Sequence, residues 1–421
     1  MTISLHDQDI ARRDAPPQSV CSNATMLAVV LGMAVGIWVT FWLRPLDYAP
    51  AAALLYIVIF AVPVAFVEIA YNKSHLAPGV GMNYARRDIS LSRTLRKLVG
   101  LSAILGVIGV SYWLFPVYDE KLYAPFFWLL ETFWWVLAAI SIPYVVLVDM
   151  HQDEPEDSLW VIGDALLRMQ PRRIAREKNF LLGWLVKAYF LPMMYGYLSN
   201  EVGSLRSFDF DGSRMPQITY SFLYSGILFL DLTIAVAGYM LTLRALGTNI
   251  RSTDTTLSGW LVTIICYSPF WPLLYGKYLA YNTDWSWGAW LWENEPLYIA
   301  WAAAIILMKS LWVWTAMSYG IRFSNLTHRG IITSGTYRWT KHPSYIFKNI
   351  FWWLIAIPFI PQDGSVLTAL QNCALMVGVN LIYYARAKTE ERHLMKDPTY
   401  VAYAEYIRRN GMFRFLNRAR P

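Results

Sequence analysis

Two polar stretches near the C-terminal end of the chain contain the residue types best suited to chemistry. The first runs from Gly335 to Tyr345 and contains Tyr337, Arg338, Lys341, His342 and Pro343. The second runs from Arg386 to Tyr403 and contains Lys388, Glu390, Glu391, His393 and Tyr400. An imidazole, paired carboxylates, guanidinium groups and phenols form an ionisable cluster that can bind a polar partner and move a proton, if the fold brings the stretches together.

The spacing within each stretch indicates how its side chains are presented. Pro343 suits the first turn of a helix, so His342 lies just before a helix N-terminus, where its pKa can shift. Arg386 and Glu390 are four residues apart and share one helix face. Glu391 points about 100° away from Glu390. A solvated helix with an ion pair would explain Arg386 and Glu390 alone, but their occurrence with the first stretch favours a functional site.

The elements that must position these residues are membrane helices. Of the 421 residues, 56% are apolar and 15% are charged, whereas soluble domains contain roughly a quarter charged residues. Apolar runs of about 20 residues can cross a bilayer. The sequence predicts an all-α polytopic bundle of about ten such spans: 25–43, 50–70, 98–117, 123–148, 180–198, 219–243, 258–280, 297–320, 345–361 and 366–385. The short connection after 361 makes the last two spans a hairpin, so both polar stretches converge.

The distribution of basic residues predicts the orientation of these spans. With the N-terminus inside, 28 of the 36 Lys and Arg residues fall in cytoplasmic segments and four fall in external loops. This bias follows the positive-inside rule and places both termini in the cytoplasm. The net charge of +7 is therefore a topology signal and does not indicate nucleic-acid binding. The three cysteines are far apart, which excludes a disulfide framework and offers no metal-ligand spacing.

Three regions follow from this map: a polar cytoplasmic N-terminus (1–24), a five-span region of unknown role (25–218) and a C-terminal core (219–421) that ends in a basic tail. Segment 149–179 contains apolar residues at the spacing of an interfacial amphipathic helix. The tail interleaves arginines with aromatic residues, which suits either anionic lipid headgroups or positive-inside anchoring. Among the charges within spans, Glu131 and Asp231 either line a substrate path or lock helices together.

The two polar stretches, taken together, resemble the isoprenylcysteine carboxyl methyltransferase family and the wider group of integral-membrane phospholipid methyltransferases. The resemblance rests on Gly-x-Tyr-x-x-x-[Arg/Lys]-His-Pro-x-Tyr, followed by Arg-x-x-x-Glu-Glu-x-x-Leu and Tyr-x-x-Tyr, within 325–410. With the spans included it extends from about 219 to the end. It implies an S-adenosylmethionine-dependent methyltransferase that acts at the cytoplasmic face on a lipid-like or amphiphilic acceptor entering from the bilayer, and it requires no metal.

The resemblance also implies roles for single residues. The cofactor-binding residues would be Tyr337, His342, Pro343, Tyr345, Glu390 and Glu391. The catalytic candidates are His342, Arg386 and Glu391, and the basic acceptor-binding candidates are Arg338, Lys341, Lys348 and Arg386. A sulfonium cation favours nearby carboxylates and aromatic faces, and methyl transfer mainly requires positioning in a dry site.

The chain departs from the family pattern at two places. Lys341 stands where the family usually has arginine, so the bidentate recognition of a carboxylate is lost. Phe347 and Lys348 follow Tyr345 where the family commonly has a small residue such as glycine, which changes what can approach the cofactor.

Two other functions remain open at this stage. Sterol-reductase-like proteins that use NADPH also have about ten spans and a related His-Pro-x-Tyr loop, but they typically have Arg-Asp and Tyr-x-x-x-Trp-x-x-Tyr where this chain has Glu390-Glu391 and Tyr400-x-x-Tyr403. A lipid or small-molecule transporter would use Glu131 and Asp231 and would bind no cofactor. The span signal suits a bacterial inner membrane with the site facing the cytoplasm, and the oligomeric state stays open.

Overall fold

The computed structural model describes residues 15–211, 214–281 and 286–417, with side chains up to residue 415. Most of the predicted N-terminal polar segment and the last arginines of the tail lie outside these ranges. Within residues 15–211, the first part of the chain folds into seven α-helices: α1 (Asn23–Ile37), α2 (Ala49–Phe66), α3 (Leu91–Leu114), α4 (Ala124–His151), α5 (Ser158–Leu167), α6 (Pro171–Arg176) and α7 (Lys178–Arg206). Helices α1 and α2 continue as π-helical turns, Trp38–Leu43 and Val67–Tyr71.

In the described residues of the second part, 214–281 and 286–417, there are nine further α-helices and one pair of very short strands. The helices are α8 (Met215–Met240), α9 (Leu257–Ile264), α10 (Phe270–Tyr278), α11 (Trp287–Trp290), α12 (Glu295–Met317), α13 (Pro343–Ala356), α14 (Val366–Leu394), α15 (Pro398–Asn410) and α16 (Arg414–Asn417). The antiparallel strands β1 (Ser252–Thr253) and β2 (Thr327–His328) join the loop before α9 to the loop after α12. The predicted helical membrane bundle is confirmed.

Seven of the described helices are long and apolar enough to cross a bilayer: α1 and α2 with their π-helical turns, α3, α4, α8, α12 and α14. Helix α7 has 29 residues but carries Lys187 and Glu201 within it, which lowers its apolar character. The predicted continuous span 258–280 is instead two short helices, α9 and α10, because Pro269 interrupts the helical hydrogen bonding between them. The predicted span 345–361 contains the helix α13 of only 14 residues.

The loops segregate to two opposite ends of the bundle. At one end, here called the loop end, Met82 bridges Gln152, β1 pairs with β2, and the backbone N–H of Val20 donates to the carbonyl of Ile331 at 3.0 Å. At the opposite end, the Arg206 guanidinium donates to the carbonyl of Leu46 at 2.6 Å. The segments that were predicted to be cytoplasmic therefore lie together.

The amphipathic segment predicted within 149–179 forms α5, which packs closely on α3. The Asp157 carboxylate accepts from the backbone N–H of Trp160 and caps this helix. Gly100 and Gly163 face each other across the contact, where a Cβ on either would collide with the backbone of the other helix. Met169, just after α5, is 90% exposed, as expected of a segment at the membrane interface.

Candidate active site

A cavity of about 460 Å³ opens among the helices that carry the two polar stretches. This is the volume of a typical small-molecule site. Its walls come from both parts of the chain, since α7 and α8 contribute on one side and α10, α13 and α14 on the other. The lining side chains that carry charge or an imidazole are Glu201, Asp231, Asp254, His342, Lys348, Arg386, Glu390 and His393.

His342 and Glu391 form the first contact between the two polar stretches. His342 is the residue before α13, which Pro343 begins as predicted. Its Nε2 lies 3.1 Å from Glu391 Oε1 near the end of α14. The same carboxylate pairs with the Lys341 ammonium at 2.6 Å and with the Lys388 ammonium at 3.0 Å. Glu391 therefore fixes the loop before α13 to α14 through three nitrogen-bearing side chains.

Tyr345 and Glu390 form the second contact, three residues after His342 and one residue before Glu391. The Tyr345 hydroxyl donates to Glu390 Oε2 at 3.0 Å. The His342 and Tyr345 rings stack with centroids 5.6 Å apart. Because Glu390 and Glu391 lie on different faces of α14, Glu390 faces the cavity while Glu391 lies behind His342.

Tyr337 lies beneath these contacts, in the 3₁₀ turn Gly335–Arg338. Its hydroxyl lies 2.6 Å from the hydroxyl of Tyr319, and its carbonyl accepts from the Tyr403 hydroxyl of α15 at 2.7 Å. Burial raises the pKa of the Tyr337 phenol well above its ordinary value. Tyr337 therefore stays neutral and serves as a hydrogen-bonding wall of the cavity.

Arg386 lies deeper than these residues and is only 7% exposed. Its Nη2 donates to Asn325 Oδ1 at 2.6 Å and to the Tyr267 hydroxyl at 3.3 Å. The guanidinium carbon lies 5.4 Å from the Tyr267 ring centre and 5.7 Å from that of Tyr345. Within the described residues no carboxylate pairs with Arg386, so neutral dipoles and aromatic rings hold this cation in place.

The structure separates the candidate site residues into two groups. Tyr337, His342, Tyr345, Lys348, Arg386 and Glu390 line the cavity. Pro343 is buried as the first residue of α13, and Lys341 and Glu391 lie behind His342. Arg338 is exposed and does not line the cavity. Of the two intramembrane acids that were singled out, Asp231 lines the cavity and Glu131 lies exposed on α4.

Several polar residues of the cavity were not anticipated from the motifs. Asn325 and Tyr267 hold Arg386, and Asn325 also donates from Nδ2 to the Tyr239 hydroxyl at 2.9 Å. Glu201 reaches the cavity from α7. The only sequence signal for Glu201 was that it is an acid within an apolar stretch. Asn325 gave no such signal, because its contacts join segments that are distant in the chain.

Comparison with known proteins supports the resemblance on which these residues were chosen. Residues 289–396 match the sequence profile of the Isoprenylcysteine carboxyl methyltransferase (ICMT) family. This range covers α12, the loop with Tyr337 and His342, α13 and α14. Comparisons with curated proteins and with solved structures return no significant match.

Proposed function

We propose that this protein is an S-adenosylmethionine-dependent methyltransferase of the membrane, acting on a lipid-like or amphiphilic acceptor. The observation that carries the proposal is the convergence of the two motif stretches on one cavity, within a region that matches a methyltransferase family. His342, Tyr345, Arg386 and Glu390 come from separate segments and meet at its loop end.

The chemistry of these side chains fits the cofactor. When bound, S-adenosylmethionine supplies a methyl group on a positively charged sulfur. The Glu390 carboxylate and the aromatic faces of Tyr345 and Tyr337 suit a cation, and they would hold the cofactor together with His342. Glu391 would act indirectly, because its three partners fix the loop on which His342 lies.

The remaining residues would position the acceptor and keep water out. Arg386 is held rigidly by Asn325 and Tyr267, so it would orient the polar group of the acceptor beside the cofactor. The cavity continues between α7, α8, α10 and α13 into the bundle, which suits an acceptor that enters from the lipid. No metal has a role in this proposal.

We propose that this chemistry takes place at the cytoplasmic face. We propose ten crossings, in which α7, the α9–α10 pair and α13 run between the same two ends as the seven apolar helices. The loop end then carries the excess of Lys and Arg, in agreement with the positive-inside rule. A bacterial inner membrane, with its lipids as partners, is the environment we propose.

Ligand binding to the detergent-purified protein tests this function. We expect calorimetry to show micromolar binding of S-adenosylhomocysteine, which Glu390→Ala abolishes. The matched control is Glu405→Ala on α15, since Glu405 does not line the cavity and pairs with the exposed Arg408 and Arg409 at the same end of the molecule. Binding of NADPH alone would instead indicate a sterol-reductase-like enzyme, and binding of neither would favour a transporter. Transfer of radiolabelled methyl groups into a lipid extract would then reveal the acceptor.

A further inference from the structure

The cavity extends beyond the motif residues into the bundle. We define the deep chamber by six of its lining residues: Glu201, Asp231, Trp271, Trp312, Lys348 and Trp352. Asp231 lies nine residues before the end of α8, which places it about 14 Å from the loop end at 1.5 Å per residue. With the loop end at one membrane face, as proposed, Asp231 therefore lies at a depth where lipid chains, not water, surround the protein.

The deep chamber contains more negative than positive charge. Glu201 and Asp231 contribute two carboxylates, and Lys348 contributes one ammonium, which lies 4.1 Å from the centre of the Trp312 ring. Lys309 acts electrostatically on both acids, but it does not line the cavity and donates to the carbonyl of Tyr224 at 2.9 Å. Among the side chains that line the deep chamber, two acids therefore accompany one ammonium, and no ion pair within 4 Å joins them in the described part of the chain.

Neither carboxylate is fully satisfied by the protein. Glu201 Oε2 is buried and has no hydrogen-bond partner. Asp231 makes no hydrogen bond and no ion pair within 4 Å to the residues that the structure describes. Carboxylates at membrane depth cost free energy unless a partner compensates them, and such groups usually mark a path for a ligand or an ion.

The walls of the deep chamber narrow the choice of ligand. A saturated or isoprenoid chain would leave Glu201 Oε2 without a hydrogen-bond partner and both acids without an ion pair, so a purely apolar tail does not fit here. Trp271, Trp312 and Trp352 also line the deep chamber, and indole faces attract ammonium groups through their quadrupoles, as the Lys348 ammonium over the Trp312 ring shows. Carboxylates and indole rings together are the donor set that recognises an amine or a quaternary ammonium.

We propose that the deep chamber binds an ammonium group of the methyl acceptor. The substrate class is then an amine-bearing amphiphile whose ammonium group reaches Asp231 and Glu201, while its methylated group lies near Arg386 and Glu390. This inference rests on the proposed function only in that it identifies the ligand as a methyl acceptor. The binding of an ammonium group can be measured without any methyl transfer. It also gives α7, in the otherwise unassigned N-terminal region, a role in selecting the substrate.

The test compares two short probes of equal chain length, hexyltrimethylammonium and hexanoate, on the full-length protein in nanodiscs. We expect calorimetry to show that the ammonium probe binds at least tenfold more tightly than hexanoate. Asp231→Asn and Glu201→Gln should each weaken ammonium binding at least tenfold, and Glu131→Gln, an exposed acid of α4, should leave it unchanged. Thermal unfolding of each variant checks its fold, and Glu201→Gln carries the test if Asp231→Asn does not fold.

The affinity for S-adenosylhomocysteine separates this inference from the proposed function. We expect that affinity to be the same in wild type, Asp231→Asn and Glu201→Gln. Ammonium binding without any binding of S-adenosylhomocysteine would overturn the methyltransferase and leave the deep chamber as an ammonium site. Preference for hexanoate, or ammonium binding that persists in both variants, would overturn the inference itself.

Discussion

At the scale of single residues, the two neighbouring glutamates of α14 perform different tasks. Glu390 accepts one hydrogen bond from Tyr345 and lines the cavity. Glu391 is surrounded by Lys341, His342 and Lys388, and its side chain is 16% exposed. A side chain that lines the cavity is available to a ligand, whereas one that holds three protein groups supports the architecture.

This difference predicts opposite outcomes for two conservative variants. Glu391→Gln removes the charge that holds two ammonium groups, so we expect a loss of about 2 kcal/mol in the free energy of unfolding and a lower melting temperature. Glu390→Gln should leave the melting temperature nearly unchanged while weakening S-adenosylhomocysteine binding about tenfold. Thermal unfolding and calorimetry on both variants measure the two effects. Equal melting temperatures for the two variants would contradict this division of roles.

The sequence predicted the pairing of the two motif stretches but not the residues that hold Arg386. The spacing of Pro343, Arg386 and Glu390 was sufficient to place them on helix ends and faces, because helical geometry is local. Asn325 and Tyr267 contact Arg386 across 61 and 119 residues of chain. No periodicity reports such a distant contact, so only the packed fold shows it.

At the scale of elements, the loop between α12 and α13 depends on one buried arginine. The Arg329 guanidinium donates to four carbonyls: Thr248 at 2.8 Å, Gly238 at 2.7 Å, Phe323 at 3.0 Å and Ile321 at 3.1 Å. These bonds connect the end of α8, the loop before β1 and the loop that leads to Tyr337. The planar guanidinium can reach four acceptors at once, which a lysine ammonium cannot.

Arg329→Lys should therefore destabilise the protein by about 3 kcal/mol, since carbonyls buried in the loop lose their donors. We expect a lower melting temperature and weaker S-adenosylhomocysteine binding, because the loop positions Tyr337 and His342. Arg338→Lys is the matched control, as Arg338 is exposed in the same loop. A melting temperature equal to that of the control would show that the four bonds contribute little.

His328 in the short strand β2 is expected to make the stability of the protein depend on pH. His328 is 6% exposed, and burial lowers its pKa to about 4, although Asp397 counteracts part of this shift. Its Nε2 lies 3.2 Å from Asp397 Oδ2, where the two groups are close but not aligned for a hydrogen bond. Asp397 also accepts from the backbone N–H of Thr399 and so begins α15.

The sign of the effect follows from comparing the folded and unfolded states. Above about pH 6.5 His328 is neutral in both states and contributes no pH dependence. Between about pH 6.5 and 4 the unfolded chain binds the proton first, so stability falls on acidification, by about 2 kcal/mol at pH 5. The pKa of Asp397 is lowered, so its stabilising effect is lost only below this range. We expect the melting temperature of His328→Gln to change less between pH 7 and 5 than that of wild type. Parallel pH profiles would contradict a neutral buried His328.

The membrane helices, too, could be predicted from the sequence only in part. Continuous apolar runs such as those of α2 and α12 were predicted, because a hydrocarbon environment requires them. The division of 258–280 into α9 and α10 was not predicted, because hydropathy averages over Pro269. The break leaves Tyr267 and Trp271 on the cavity wall.

At the scale of the whole molecule, the first seven helices are part of the same structure as the region that matches the family. Ser19 and Ser334 hydroxyls lie 3.1 Å apart, and Ser334 also donates to the carbonyl of Cys21 at 3.1 Å, so the segment before α1 contacts the loop that carries Tyr337. Glu68 at the end of α2 pairs with Arg322 after α12 at 2.7 Å, and the side chains are at most 3% exposed.

Variants of the Glu68–Arg322 pair test how strongly the region of the first seven described helices is coupled to the region that matches the family. Breaking a buried ion pair on one side leaves an uncompensated charge, so Glu68→Gln and Arg322→Gln should each cost about 3–5 kcal/mol of unfolding free energy. We expect the double variant to lose less unfolding free energy than the two single variants lose together, because neither charge then remains unpaired. Denaturant unfolding in detergent measures this cycle, and S-adenosylhomocysteine affinity measured on the folded fraction reports on the loop.

Because Arg322 begins the loop that leads to Tyr337, we expect that affinity to fall in both single variants and to recover partly in the double variant. Additive losses, with unchanged affinity, would mean that the first seven helices only adjoin the site and do not hold it.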